Sequence, residues 1–235
     1  GSVEFGDFDP TATSNAIGLL DLLHLMPAAD MHNTFDKYLA GFPERTGGTL
    51  EWNNYTAYEI RIIGALVRLG RRLDALEVAA FMLSDRRIPP WNQWPEITWR
   101  DQRSPGFIGD LPHTWISAEY ILAVCSMLAY ERASDRSIVL AAGMSPEWLK
   151  DGFEVAVDGL ATYYGKLSYS LSIDDSETLH FKLGEGISVP PGGIVVRPPL
   201  KQPIREVEVN GRLNYNFSDD SFTISECPAE VVVRF

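Results

Sequence analysis

The sequence predicts an α+β chain in which helical hairpins are followed by an antiparallel β-sandwich. Two observations carry this. Up to about residue 131 the apolar residues recur at the 3.6-residue period of helices, and beyond Ser134 short runs of Val, Ile, Tyr and Phe are punctuated by Gly and Pro clusters. A third, Asn210-Gly211 between VEV and RLNY, is the sequence of a two-residue type I′ hairpin turn. The expected domains are therefore 1–133, helical with a Trp-rich loop, and 134–235, the sandwich.

In chain order, Thr11 or Thr13 is placed to cap a first helix whose apolar positions are Ala16, Leu19, Leu20, Leu23 and Met26, stopped by Pro27. Asp30 is placed to cap a second, with Met31, Phe35, Tyr38 and Leu39 on one face and Gly41 at its end. Thr56 and Glu59 form a T-x-x-E capping box for a third, with Ile60, Ile63, Leu66, Val67 and Leu69 apolar and Gly70 a natural stop. Leu73, Leu76, Ala80 and Leu83 then mark a partner helix, predicting an antiparallel hairpin. Ile88 to Pro112 has no period, and an aperiodic stretch of this length in a compact domain leans toward function. The run from Thr114 to about Glu131 is apolar nearly all round, as in a helix packed on several sides. The strands follow as Ile138–Ala142, Phe153–Val157, Tyr163–Ile173, Thr178–Leu183, Ile194–Arg197, Ile204–Val209, Ser221–Ser225 and Glu230–Phe235.

Composition narrows the function. A formal net charge of -12 argues against nucleic acid and anionic membranes, since neutralising phosphate needs clustered Lys and Arg. A neutral or cationic small ligand fits better. No apolar run approaches the ~20 residues of a membrane span, and the start carries no basic-then-apolar signal segment. Cys125 and Cys227 are far apart and read as buried free thiols. A periplasmic or secreted location is permitted but not demanded. The four histidines show no ligand spacing, so no metal or other cofactor is expected.

The candidate chemistry is carboxylates and indoles in the irregular segments. Asp7, Asp9, Asp36, Glu51, Asp101, Asp110 and Glu119 are the acids there, and cleaving a glycosidic bond needs two facing carboxyl groups. Asp36 stands apart, because Tyr38 and then Glu51-Trp52 follow it at the ends of consecutive helices. Trp52, Trp91, Trp94, Trp99 and Trp115 supply flat, rigid faces of the kind that stack on sugar rings. Against each stands a structural role: a cap or solvated charge for the acids, a core roof for the indoles. In GFIGDLPHTWISAE, Gly106 to Glu119, the residues Asp110, His113 and Trp115 are expected to bind or orient a ligand.

These stretches carry a resemblance. The hairpins, aromatic loop and late sandwich resemble the C-terminal part of bacterial six-hairpin, (α/α)6-barrel glycoside hydrolases, as do Ala161-Thr162-Tyr163-Tyr164-Gly165 and Pro190-Pro191-Gly192-Gly193-Ile194. The block from Phe35-Asp36-Lys37-Tyr38 to Trp52 is similar to the segment of trehalase-like and processing-glucosidase-like barrels that holds a general base, usually Glu. The resemblance implies a partial (α/α)6 toroid binding or hydrolysing a neutral carbohydrate. Hydrolysis would be inverting, with Asp36 and Glu51 the catalytic candidates and Trp52, Trp94, Trp99, Asp110, His113 and Trp115 lining the substrate. The alternative is a non-catalytic carbohydrate-binding or scaffold module. With only the last hairpins present, the implied partner is the N-terminal half of the barrel or a second copy.

Overall fold

The computed structural model describes residues 8–49, 57–86, 89–96, 109–174, 178–200 and 202–235. The chain divides into two compact units, Gly1–Ser126 and Met127–Phe235. The order of elements is α+β, helices first and two sheets after.

In the helical unit, α1 (Pro10–Ser14) is capped by Asp9, whose carboxylate accepts from the Ala12 N–H at 2.9 Å, so neither Thr11 nor Thr13 is the cap. Pro10 at the first helical position gives up an N–H that has no intrahelical partner anyway. The helix then opens into a π-helical turn, Asn15–Leu19, and stops before Asp21, whose φ is 51°. That turn shifts the helical period, so Ser14 and Ile17 are buried while Leu19 and Leu20, expected on the inner face, are exposed.

The second helix, α2 (Ala28–Ala40), begins after Pro27 without a side-chain cap, and Asp30 sits in its first turn, where negative charge opposes the helix dipole favourably. Met31 and Phe35 bury as expected and Gly41 ends the helix, leading into α3 (Phe42–Thr46). The next, α4 (Ile60–Arg68), closes with a Schellman motif: Arg71 N–H bonds Leu66 C=O at 2.8 Å and Gly70 N–H bonds Val67 C=O at 3.0 Å. Gly70 adopts φ 75°, which a side chain resists, so the expected stop is also the geometric one. Packed against it is α5 (Arg72–Ser84), whose buried positions are Ala75, Val78 and Met82. The expected stripe of Leu73, Leu76, Ala80 and Leu83 is rotated off that face, and Leu73 is 71% exposed. The helix is apolar on several sides, so periodicity alone does not select the inner one. The last helix, α6 (Thr114–Leu128), ends short of the expected Glu131 and passes directly into β1 (Ala129–Arg132). Pairing of Ala129, Tyr130, Glu131 and Arg132 with Leu140, Val139, Ile138 and Ser137 overrides the helical pattern there.

The second unit holds β2 (Ser137–Leu140), β3 (Val155–Thr162), β4 (Gly165–Ile173), β5 (Leu179–Leu183), β6 (Ile194–Val196), β7 (Glu206–Val209), β8 (Arg212–Leu213), β9 (Phe222–Ile224) and β10 (Ala229–Arg234). They form a four-stranded sheet, β1-β2-β6-β9, and a six-stranded one, β3-β4-β5-β10-β7-β8. Among the described residues all strand pairs are antiparallel except β2 with β6. One core joins the sheets, with Ile138, Leu140, Val196 and Phe222 from the first and Leu167, Phe181, Val231 and Val233 from the second. Alternation along β5, buried at Leu179, Phe181 and Leu183, shows why its register is fixed: a one-residue slip would expose all three. Asn210 and Gly211, at φ 50° and 74°, turn β7 into β8 with Val209 opposite Arg212, as the two-residue hairpin requires.

Two glycines separate strain from space. Gly165, at φ 125°, would place a Cβ 2.3 Å from the Gly186 carbonyl oxygen, whereas Gly211 has open space around it. Gly165→Ala is expected to destabilise the sandwich by about 2 kcal/mol or more and Gly211→Asn by well under 1 kcal/mol, measured by urea unfolding.

Candidate functional site

The expected site residues part company in the structure. Asp36, on the exposed side of α2, is 61% exposed and its Oδ1 is paired with Arg71 Nη1 at 2.5 Å; the same guanidinium bonds Asp74 through Nε at 2.6 Å. The acid singled out for proton chemistry is thus one anion of a surface arginine cluster. Glu51, Trp52 and Trp99 lie outside the described residues. Trp94 is a correction: at 3% exposure it belongs to the core, its indole N–H donating to the Met82 carbonyl at 2.9 Å and its ring against Tyr120 at 5.1 Å. It has no face left for a sugar.

Asp110 and His113 lie close together, and Tyr58 links His113 to Trp115 through a hydrogen bond and a ring contact; the reason is local. Beyond α5 a 3-10 turn, Pro89–Trp91, leads to Trp94, whose burial pins the segment that follows. The returning segment, in which Gly109 adopts φ 70°, pairs with it: Glu96 N–H bonds Asp110 C=O at 3.1 Å, and His113 N–H bonds Trp94 C=O at 3.3 Å. The two arms make a strap that sets Glu96 beside Asp110 and His113. One ligand atom from each of the three lies within 4.8 Å of the others, a grouping of the kind that can hold a metal ion.

Around this trio the helices add oriented groups. The Tyr58 hydroxyl and His113 Nε2 share a hydrogen bond of 3.1 Å. Burial pushes the Tyr58 phenol above its ordinary pKa and the charge of Glu96 adds to it, against the opposing pull of Arg61, so the hydroxyl keeps its proton at neutral pH. Arg61 lies over the Tyr58 ring at 4.4 Å and the Trp115 ring at 5.6 Å. Its Nε is 2.8 Å from Glu119 Oε1, aligned as an ion pair rather than a hydrogen bond. The same Glu119 oxygen accepts the Trp115 indole N–H at 3.1 Å, so an indole that is 58% exposed is nonetheless held in place. Ser117 steadies the strap from α6, donating to Gln93 Oε1 at 2.7 Å.

Glu96, Tyr58 and Arg61 were not legible as site residues. Glu96 sits alone in an aperiodic segment, and only the strap's pairing shows which later residues it meets. Glu119 was legible only as one acid among many. The β unit also carries a shallow groove of about 450 Å³, lined by Arg212, Leu213, Asn214, Asn216, Thr223 and Glu226 among others, that no sequence pattern marks.

No protein-family model matches the chain, and no curated protein does. Among solved structures, the chain is similar to Ara127N-Se, a GH127 β-L-arabinofuranosidase from Geobacillus stearothermophilus T6, with 12% identity and a TM-score of 0.28. The likeness covers 75% of this chain and 31% of that one, so the chain spans about a third of that enzyme's length. A likeness of that depth leaves function to be read from the site.

Glu59, next to Tyr58, belongs to the scaffold. Thr56, the other half of the expected capping box, lies outside the described residues; Glu59 itself is half-buried, accepting from Tyr38 Oη at 2.9 Å and Arg45 Nη1 at 2.7 Å. It ties α2 and α3 to the start of α4. Burial raises its pKa above the ordinary carboxylate value, outweighing the opposing pull of Arg45 and Tyr38. The folded state therefore binds more protons than the unfolded one just above that ordinary value, so this group's contribution is present at lower pH and lost as pH rises through the raised pKa. Subtracting the pH profile of Glu59→Gln from that of the wild type is expected to leave a stability difference that falls with rising pH across that window. Glu59→Ala is expected to cost about 3–5 kcal/mol at pH 7 in chemical unfolding, because Arg45 loses its partner.

Proposed function

We propose that the helical unit binds a neutral, hydroxyl-rich carbohydrate at Glu96, Asp110, His113 and Trp115, as part of a glycoside-hydrolase-like protein. The observation that carries this reading is the convergence of two carboxylates and an imidazole within 4.8 Å, linked through Tyr58 to the fixed, solvent-facing Trp115. Sugar hydroxyls both donate and accept, which suits carboxylates beside an imidazole, and the apolar C–H face of a pyranose or furanose suits an indole. The -12 net charge agrees with a ligand that carries no negative charge.

Recognition is favoured over inverting cleavage at this cluster. Inverting hydrolysis leaves ~6.5 to 9.5 Å between its carboxyl groups for the attacking water, and the Glu96–Asp110 approach is closer than that. Asp36, the expected general base, is held by Arg71.

The test is titration of the chain with glucose, galactose, xylose, arabinose and their disaccharides, followed by calorimetry and tryptophan fluorescence. At least one neutral saccharide is expected to bind, with Trp115→Ala weakening it about tenfold or more and Asp36→Asn and Trp91→Ala leaving it unchanged. Circular dichroism checks that each variant is folded. Absence of binding across the panel, or wild-type affinity in Trp115→Ala, would remove the reading.

A further inference from the structure

We infer that Glu96, Asp110 and His113 hold one first-row divalent cation, and that this cation engages the vicinal hydroxyls of the sugar. The second clause rests on the carbohydrate reading above; the first stands without it. The donor set is two carboxylate oxygens and one imidazole nitrogen, all within 4.8 Å of one another. Bonds of ~2.0–2.2 Å to a common centre need ligand atoms about 3.4 Å apart, so the trio has to close by at most about 1.4 Å. Asp110 is exposed and Glu96 half-buried, which leaves their side chains room to rotate toward a common centre.

Charge supplies the second argument. Among the described residues the Glu96 and Asp110 carboxylates approach within 4.8 Å of each other. The arginine of the site, Arg61, is committed to Glu119 and to the faces of Tyr58 and Trp115. Two carboxylates this close suit a cation between them. His113 gives the cation a class: an imidazole beside carboxylates favours Mn²⁺ or Zn²⁺ over Ca²⁺ and Mg²⁺. Its ring is already oriented by the Tyr58 hydroxyl at 3.1 Å, the kind of outer contact that fixes ligating histidines. Three protein ligands leave coordination positions open, and adjacent hydroxyls of a sugar are suited to fill two of them.

The experiment uses the full chain freed of metal with a chelator. Calorimetric titration with MnCl₂ and with ZnCl₂ is expected to show one site per chain at micromolar or tighter affinity, with CaCl₂ at least tenfold weaker. His113→Ala and Asp110→Asn are each expected to weaken uptake more than tenfold, and Glu96→Gln gives an independent conservative variant. Unchanged circular dichroism in the three variants excludes unfolding as the cause. No saturable uptake, or uptake that all three variants leave intact, overturns the inference. Repeating the saccharide panel with EDTA separates the two claims: sugar binding lost with the chelator supports both clauses, and sugar binding that survives it overturns the cation's role in recognition. Cation uptake with no sugar binding at all leaves the metal site standing and removes the carbohydrate reading.

Discussion

The hydrogen bond from the buried Trp94 indole to the Met82 carbonyl, 2.9 Å long, is the constraint on which the candidate site depends. Trp94 lies in a segment with no periodicity and few backbone partners of its own. Its indole, packed against Tyr120 and bonded to the last turn of α5, converts that segment into a fixed arm. The arm's carbonyl and amide then pair with the returning chain at His113 and Asp110. The anchor acts together with the Glu96 N–H to Asp110 C=O bond and the Ser117 bond to Gln93 in holding Glu96 beside residues further along the chain. A buried N–H must find an acceptor, so the same atom that satisfies the core also positions the strap.

On this frame the polar groups separate by role. Glu59 and Arg45 are half-buried and brace helices; Asp36 and Asp74 pair with Arg71; Arg61 and Glu119 hold the indole of Trp115. Glu96 and Asp110 are the acids of the strap, and they meet His113 there.

The β half was easy to read and the helical half was not, for one physical reason. A strand's inner face repeats every second residue and its turns need particular residues, so Leu179, Phe181, Leu183 and the Asn210-Gly211 turn leave few alternatives. A helix that is apolar on several sides leaves its orientation to tertiary packing, as α5 shows by burying Ala75 and Val78 in place of Leu73 and Leu76. In α1 a π turn moved the register, and at Ala129 strand pairing ended a helix that the composition would have continued. The site divides likewise. Asp110, His113 and Trp115 are close in sequence and were legible together, whereas Glu96 joins them only through backbone pairing, and the burial of Trp94 appears only once the core is assembled.

Recognition by the strap and recognition by the β unit's groove between β8 and β9 make different claims about where a sugar rests. Diffraction from crystals soaked in a bound neutral disaccharide distinguishes them directly. The account predicts a sugar ring against the Trp115 indole, with hydroxyls within reach of Glu96 and Asp110 or of a metal between them. A saccharide seated only against Arg212, Asn214 and Asn216, with the strap cluster empty, would contradict it.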